Sequence, residues 1–512
     1  MTDDDAPYLR ALSRFAGRDP GRLTVPGHKG GAAACGEQLT TLGAEAHALD
    51  VPTLIDGVDV LLGDAAGLDP FAHAETLAAK AWGARRTWFL TGGASQGNLA
   101  ACLAVAQGSS RRVVVQRTVH GSTINGLIVA GLDPAFVAPE VDERLGIAHC
   151  VTAAALDRAL ASTPGAAAAF VVSPTYYGAV ADVAALAQVA HAHGVPLVVD
   201  EAWGAHLPFS DRLPDAALRA GADVVICSPH KHLGSLTGSA LLHVGQSAEG
   251  IDEERLGRAL RLVSSTSPSS LLRASLDAAR RRAVCDGGAL LDGMVAALAD
   301  LRERIGWVPG FSTLDGARLA EIDGVAGHDP LRLVIDVRDS GATGHTWGRL
   351  LRDLADIEVE LCEEHVVVAV FGLGEDVEAA GARLLPALAR ARSRVARRPV
   401  RAAASSSAPR LAPRLRCTPR DAFLAAREPV ALCDAVGRVA AEPLIPYPPG
   451  IPLVLPGEEL DAVVLARARA AVRAGTVMRG AADPRLRTIL VVGQADGAAT
   501  GLEGAAPAAA LA

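Results

Sequence analysis

The chain has 512 residues, of which 50% are hydrophobic and 4% aromatic, and its formal net charge at pH 7 is −8. This length allows about three domains with large cores, and the acidic balance excludes the overall basic field typical of nucleic-acid-binding proteins. No apolar run approaches the roughly 20 residues that a membrane-spanning helix needs, so we expect no membrane partner.

The eight cysteines are scattered, without a CxxC pair or a Cys/His spacing typical of metal sites. We therefore expect reduced thiols, no metal and a cytoplasmic protein. The acidic N-terminus, Met1–Asp5, lacks the apolar core of a signal peptide, which agrees with that location.

Residues 1–60 are rich in glycine and proline and only weakly periodic. This composition favours an irregular arm with turns. A second interpretation makes the segment Val25–Gly31, which contains His28, a loop that reaches an active site, including that of a partner subunit.

A strand, a glycine-rich turn and a helix follow one another in the next part of the chain. After a helical pattern at Glu75–Trp82, the run Arg86–Leu90 predicts a strand, Thr91–Asn98 a turn and Leu99–Ala106 a helix. The amides at a helix start, with the Ser95 hydroxyl, would suit a phosphate group. The turn matches neither a Walker A motif nor GxGxxG, and many such turns need glycine for backbone reasons only.

Short apolar runs alternate with helical patterns up to about residue 243, which predicts a doubly wound α/β domain with a mainly parallel sheet. Right-handed crossovers would bring the turns after these strands to one sheet edge. The runs predicted as strands are Arg112–Val115, Ala166–Val172, Val195–Val199 and Ala222–Ile226.

Two of these strands deliver an aspartate and a lysine to that edge. Asp200 follows the run that ends at Val199, and Lys231 follows the run that ends at Ile226. A lysine that forms a Schiff base and an aspartate that pairs with a pyridinium nitrogen are the protein groups that pyridoxal phosphate (PLP) requires. His120, after another strand, could stack on such a ring, although a lone histidine there is more often simply a satisfied polar residue.

The remainder predicts two more domains. A helical stretch 270–305, with a start at Ser269, leads to a small α+β domain with strands Arg332–Val337 and Val366–Phe371. We assign residues 1–60 to an N-terminal arm, 61–305 to the large domain, 306–395 to the small domain, 396–416 to a linker, 417–494 to a C-terminal α+β domain and 495–512 to a disordered tail.

Taken together, the motifs resemble the bacterial ornithine/lysine/arginine decarboxylases, which are PLP-dependent enzymes with the fold type I (aspartate-aminotransferase-like) large domain. The resemblance covers roughly residues 20–490 and is to the short form without an N-terminal wing domain. It rests on Pro26–Gly31, Gly92–Asn98, His120 with Ser122, Asp200–His206, Ser228–Lys231, Thr266–Ser269, Pro446–Pro452 and Pro456–Glu458.

The resemblance implies roles for individual residues. Lys231 would carry the cofactor, Asp200 would keep its ring nitrogen protonated, His120 and Ala202 would cover its two faces, and Lys231 or His230 would return a proton to the substrate. It also implies cofactor contacts from Ala94, Ser95, Gln96, Ser228, His230 and Thr266, the last across a dimer interface, and substrate contacts from His28, Trp203 and Glu458.

The expected reaction is α-decarboxylation of arginine, lysine or ornithine by a homodimer or a multiple of dimers, as in polyamine biosynthesis. Gly121, where the family usually has lysine, and the run His232–Ser239 depart from the family pattern and leave the substrate open. An aminotransferase or aldolase on the same fold, or a non-catalytic homologue that binds polyamine or a partner, are the alternatives.

Overall fold

A computed structural model describes residues 5–18, 26, 44–51, 69–106, 110–246, 250–395, 414–447, 450–473 and 475–493. The predicted tail 495–512, most of the predicted linker 396–416 and most of the predicted arm 1–60 lie outside the described residues. No described helix combines the length and the apolar character needed to cross a bilayer.

The first half of the chain forms a seven-stranded sheet in the order β1-β10-β9-β8-β6-β2-β3. Strand β10 is antiparallel to both of its neighbours, and the other pairs are parallel. The strands up to β10 are β1 Arg86–Leu90, β2 Arg112–Gln116, β3 Asp133–Val137, β4 Val141–Asp142, β5 Ile147–Ala148, β6 Ala169–Val172, β7 Ala179–Ala181, β8 Leu197–Glu201, β9 Val224–Cys227 and β10 Ala240–Val244.

The central strands are buried throughout, which explains their continuous apolar runs. Helices pack on the sheet, and this confirms the predicted α/β class. The helices of this half are Pro7–Gly17, Ala44–Leu49, Pro70–Trp82, Gly93–Val105, Gly121–Ala130, Ala153–Ala161, Val183–Ala192, Pro229–His232, Glu253–Val263 and Ser270–Gly306, with a 3-10 turn at Leu207–Phe209.

A four-stranded antiparallel sheet in the order β11-β13-β15-β14 follows the long helix. Ser269 caps that helix, as predicted, by accepting a hydrogen bond from the Leu272 amide. The elements here are β11 Ser312–Leu314, β12 Val325–His328, β13 Arg332–Asp336, β14 Leu361–Cys362 and β15 Val366–Val370, the helices Gly316–Leu319, Gly344–Ala355 and Val377–Arg394, and a 3-10 turn Arg338–Ser340.

The last part of the chain contains two small antiparallel pairs, β16 with β19 and β17 with β18. A buried ion pair ties it to the large sheet: Arg117, just after β2, lies 3.4 Å from Glu458, and both side chains are almost fully buried. The elements are β16 Arg427–Ala431, β17 Ile445–Tyr447, β18 Val477–Arg479, β19 Thr488–Val492, the helices Pro419–Leu424 and Ala462–Arg473, and a 3-10 turn Leu432–Asp434.

Two predicted boundaries near the site were wrong. The helix expected from Leu99 begins at Gly93, so most of the loop predicted at Thr91–Asn98 is helical. Strand β8 extends to Glu201, so Asp200 lies within the strand and pairs with Ile226 of β9 rather than following the strand. In both cases packing against neighbouring strands extends an element beyond its local propensity.

Candidate active site

The carboxyl edge of the parallel sheet collects the polar residues that follow β2, β8 and β9. His120 caps the helix after β2, Asp200 lies at the end of β8, and Lys231 lies in the short helix Pro229–His232 that follows β9. This edge is where α/β proteins commonly build ligand sites.

A cavity of about 510 Å³ opens at this edge, between the large sheet, the small domain and the C-terminal part of the chain. Its lining comes from all three regions, so no single stretch of sequence defines it. The lining residues are His120, Tyr176, Trp203, His230, Lys231, Arg332, Glu360, Leu361, Val370 and Tyr447.

A short chain of hydrogen bonds holds Asp200 in place behind this lining. The amide nitrogen of Asn98 donates to Asp200 at 2.8 Å and to the Ser122 hydroxyl at 2.9 Å. The Ala202 backbone amide donates to the other carboxylate oxygen at 3.1 Å. Asp200 is therefore buried, oriented and charge-stabilised, which suits a carboxylate that must hold a protonated ring nitrogen.

Lys231 lies at the cavity, with its amine 3.7 Å from the centre of the Trp203 ring. Burial lowers the pKa of this amine to about 7, because a desolvated ammonium is disfavoured; the Asp200 carboxylate opposes that shift. With this pKa, about half of the amine is a neutral nucleophile at pH 7.

Arg332, at the start of β13, is a site residue that the sequence did not indicate. Its guanidinium lies over the Trp203 ring at 3.3 Å from the centre, and the side chain is fully buried. All three of its guanidinium nitrogens lack a hydrogen-bond partner among the described residues. Burial lowers its pKa to about 10, so it remains charged and offers a fork of donors to a ligand.

Two histidines complete the polar lining near Lys231. His230 contacts the Ser239 carbonyl oxygen at 2.6 Å through Nδ1, which must therefore carry the proton. The Nδ1 of His120 accepts a hydrogen bond from the Ser122 amide at 3.1 Å. Burial lowers the pKa of both rings, so both are neutral at pH 7.

The C-terminal part of the chain closes over His120. A Cβ at Gly450, whose φ is +95°, would lie 3.1 Å from two atoms of the His120 ring. The Gly121 amide donates to the Gly450 carbonyl at 3.1 Å, and a Cβ at Gly121 would lie 3.0 Å from Ile445. The glycine at 121 therefore lies in close contact with the C-terminal part of the chain, and a larger residue there would require Ile445 to shift.

The residues predicted to bind phosphate lie at the start of the helix Gly93–Val105. Ala94, Ser95 and Gln96 form its first turn, which has no side-chain cap, so its amides can bind an anion. The Gly93 amide is held by the Gly238 carbonyl at 2.7 Å, which gives a role to the unusual Gly238.

Ser228 and Thr266 differ in their surroundings. The Ser228 hydroxyl is buried without a hydrogen-bond partner among the described residues, which suits a group that contacts a ligand. Thr266 is exposed to solvent in the single chain, as a residue that acts across a dimer interface would be.

The three predicted substrate-binding residues have different positions. Trp203 lines the cavity. Glu458 is not among the residues that line it; the glutamate is buried against Arg117 and accepts a hydrogen bond from the Leu455 amide. His28 lies outside the described residues.

Tyr176, Glu360 and Tyr447 also line the cavity and were missed. Tyr176 follows β6, so the strand-end argument that selected Asp200 could have found it. Glu360 precedes β14, and Tyr447 ends β17. Both reach the site through domain packing, for which the sequence carries no local signal.

Comparison with known proteins gives a consistent result over the whole chain. A family model described as Orn/Lys/Arg decarboxylase, major domain, matches residues 6–325, and the model of that family's C-terminal domain matches residues 402–470. The arginine decarboxylase of Bacillus subtilis (strain 168) is 34% identical over 492 residues, which cover 96% of this chain and 99% of that protein. The arginine decarboxylase of Halalkalibacterium halodurans is 34% identical over 506 residues, covering 96% and 98%.

A solved structure shares the fold. Lysine decarboxylase A from Pseudomonas aeruginosa superposes with a TM-score of 0.79 and 22% identity, over 95% of this chain and 80% of that one.

Proposed function

The chain belongs to the Orn/Lys/Arg decarboxylase family, whose reaction removes the α-carboxyl group of a basic amino acid, and we propose that its substrate is arginine and its cofactor PLP. The relatives that match nearly its full length and are named for a reaction are arginine decarboxylases. The observation in the structure that carries the proposal is the unpartnered Arg332 guanidinium in the cavity that also contains the Lys231 amine.

The residues present fit the cofactor. Lys231 would attach its aldehyde carbon, and Asp200 would pair with its ring nitrogen. The uncapped helix start at Gly93 and the unpartnered Ser228 hydroxyl would hold its phosphate. When bound, PLP supplies an electron sink for the pair of electrons that the departing carboxylate leaves behind.

The arrangement of cations suits the substrate's α-carboxylate. Arg332 is charged and buried, and its guanidinium makes no hydrogen bond to the described residues, so a carboxylate would provide two acceptors for its fork of donors. By fixing the carboxylate, Arg332 would orient the bond that must break. Trp203 lies against both Arg332 and Lys231 and so holds the two cationic groups on one ring.

Glu360 is the acidic residue that suits the far end of the substrate. It lies at the exposed rim of the cavity, and a carboxylate there can pair with a guanidinium through two hydrogen bonds. Glu458, the acidic residue proposed from the sequence, has Arg117 as its partner.

After carbon dioxide leaves, the α-carbon must take up a proton. The Lys231 ammonium, with a pKa of about 7, is acidic enough to give one and is regenerated at neutral pH. His230 is the other group at hand. Its neutral ring carries its proton on Nδ1, engaged by the Ser239 carbonyl, so Nε2 could give a proton only after taking one up from solvent.

The test is a product assay with purified protein and added PLP on arginine, lysine and ornithine. We expect carbon dioxide and agmatine from arginine, with a lower kcat/KM for the shorter amino acids. Lys231→Ala should abolish release and leave a protein that borohydride does not label with the cofactor. Keto-acid formation without carbon dioxide would contradict the proposed decarboxylation. A preference for lysine would contradict the assignment of arginine as the substrate.

A further inference from the structure

Two groups that the proposed function brings together belong to different sheets. Lys231 follows β9 of the seven-stranded sheet, and Arg332 begins β13 of the four-stranded sheet. With the cofactor on Lys231 and the α-carboxylate on Arg332, the orientation of the bond that breaks depends on how the two sheets are placed relative to each other. Catalysis then depends on a contact that fixes this placement near the site.

His232, the residue after Lys231, makes a contact of this kind with the segment Phe371–Leu373 that follows β15. Its Nδ1 lies 2.9 Å from the Phe371 carbonyl oxygen, which can only accept a hydrogen bond, so Nδ1 is the donor. Its backbone carbonyl accepts a hydrogen bond from the Leu373 amide at 2.6 Å. Side chain and backbone of His232 are therefore both held by one short segment at the end of β15.

These two hydrogen bonds repeat the pattern of a parallel strand pair. In such a pair, one residue donates to the carbonyl before its partner and accepts from the amide after it. Here the partner is Gly372, and the imidazole N–H of His232 replaces a backbone amide. His232 and Phe371 are both buried, so a Phe371 carbonyl that lost this donor would find little water to replace it.

The segment Phe371–Leu373 is connected in turn to Arg332. Arg332 pairs with Val370 in the register of β13 and β15, and the Phe371 amide donates to the Leu331 carbonyl at 3.1 Å. Backbone hydrogen bonds thus connect the contact with His232 to the residue that carries the guanidinium. A shift at this edge of the four-stranded sheet would move both together.

Neighbouring rings restrict the imidazole of His232. It is edge-to-face with Trp203, at 5.8 Å between ring centres, and its centre lies 4.4 Å from that of His206. Trp203 is also the ring against which Lys231 and Arg332 lie. Close packing among these rings fixes the direction in which His232 presents its N–H.

We propose that His232 is a positioning residue for the decarboxylation and sets the placement of Arg332 relative to Lys231 through its hydrogen bonds to Phe371–Leu373. The inference rests on the proposed function and adds a residue to it. Its effect belongs to kcat rather than to KM. A carboxylate held by a displaced Arg332 is still bound, whereas the bond that breaks is no longer aligned.

Two substitutions separate the hydrogen-bond donor of His232 from the bulk of its side chain. His232→Leu fills a similar volume without a donor, and the amide of His232→Asn places a donor close to the position of Nδ1. In His232→Leu we expect kcat for arginine to fall about 10–100-fold, with KM changed less than about threefold. His232→Asn should recover most of the lost kcat.

The matched control is His149→Leu. His149 is also fully buried, it does not line the cavity, and its ring makes no hydrogen bond to the described residues. This variant should keep the wild-type kcat and KM. An active wild-type enzyme whose kcat survives His232→Leu would contradict the inference alone.

A double-substitution cycle tests the coupling to Arg332. If His232 acts through the placement of Arg332, the loss of kcat/KM caused by His232→Leu should be at least about threefold smaller in the Arg332→Gln background. Losses that simply multiply would overturn the proposal.

Hydrogen exchange of the full-length apoenzyme tests the contact without substrate or cofactor. The Leu373 amide should be protected in the wild-type protein and in His232→Asn, and should exchange at least about tenfold faster in His232→Leu. Fast exchange of this amide in the wild-type protein would overturn the proposal even if no variant folds. Slow exchange in a wild-type protein that releases no carbon dioxide from arginine, lysine or ornithine would contradict the proposed function, and with it the catalytic role of this contact.

Discussion

Lys231 shows how one side chain acquires its chemistry from its surroundings. The same burial against Trp203 that disfavours the ammonium makes the amine a nucleophile near neutral pH. An exposed lysine, with its much higher pKa, would be almost entirely protonated there.

This shift predicts the pH dependence of cofactor attachment to the apoenzyme. Since only the neutral amine reacts, the rate should fall about tenfold per pH unit below pH 7 and level off above it. Stopped-flow absorbance after addition of PLP between pH 5.5 and 9 measures it. A rate that keeps rising through pH 9 would mean that the Lys231 pKa is not lowered.

Arg332 gives a prediction in which affinity and stability change in different directions. Arg332→Gln should raise KM by about 30-fold, the equivalent of about 2 kcal/mol for a lost charged hydrogen-bond pair. The melting temperature should stay level or rise, because the variant removes a buried charge whose guanidinium nitrogens make no hydrogen bond to the described residues.

The control for Arg332 is Arg352→Gln in the same domain, where the guanidinium pairs with Glu358 on the surface. That variant should leave KM unchanged. A clear loss of stability in Arg332→Gln with unchanged KM would make Arg332 a structural residue instead.

At this scale the sequence was informative about position where a residue lies at or just after the carboxyl end of a strand. Asp200, Lys231, His120 and His230 lie together because the carboxyl ends of parallel strands share one edge. Arg332 and Tyr447 come from other domains, and their positions depend on long-range packing.

The start of the helix Gly93–Val105 is the element that local rules described least well. Glycines at 92, 93 and 97 predict a turn, because glycine is a poor helix former. Gly97 packs in the structure where a Cβ would lie 2.8 Å from Ile226, so this glycine serves close helix–strand contact. The same residues that weaken the local helix signal thus allow the helix start to approach the sheet edge.

Gly450 lies against the His120 ring beside the active site, and Gly450→Ala tests this contact. The added Cβ would lie 3.1 Å from the His120 ring, so we expect both stability and kcat to fall. Gly475→Ala separates contact from backbone strain, because its φ of +94° is nearly the same while nothing lies within 4 Å of its Cβ. Both should lose about 1 kcal/mol from strain, and only Gly450→Ala should lose activity.

Across the whole molecule, the Arg117–Glu458 pair fastens the C-terminal part of the chain to the large sheet. Glu458→Gln would leave Arg117 charged, buried and short of its carboxylate partner, so we expect a loss of about 3 kcal/mol in unfolding free energy. Glu459→Gln, which removes a mostly exposed pair with Arg416, should cost less than about 1 kcal/mol.

Steady-state kinetics would distinguish this structural role of Glu458 from the substrate-binding role that the sequence suggested. If Glu458 anchors the domain, denaturant unfolding changes and KM for arginine does not. A higher KM with an unchanged free energy of unfolding would instead support Glu458 as a substrate-binding residue.

For the whole molecule, the domain boundaries assigned from composition changes and periodicity stay predictions. The α/β class of the large domain followed from alternating apolar runs and helical patterns. The packing of the domains against one another could not be predicted, because a buried pair such as Arg117 with Glu458 produces no periodic pattern in the sequence. The homodimer and the role of Thr266 across its interface stay predictions.

The position of Tyr447 and Gly450 has a consequence for how the protein is made. The ribosome completes Lys231 more than two hundred residues before it reaches the segment that covers His120. At about 5–20 residues per second, the nascent large domain exists for about 10–40 seconds with this wall of the cavity missing. Newly synthesised chains therefore acquire this wall of the cavity only after the large domain has been made.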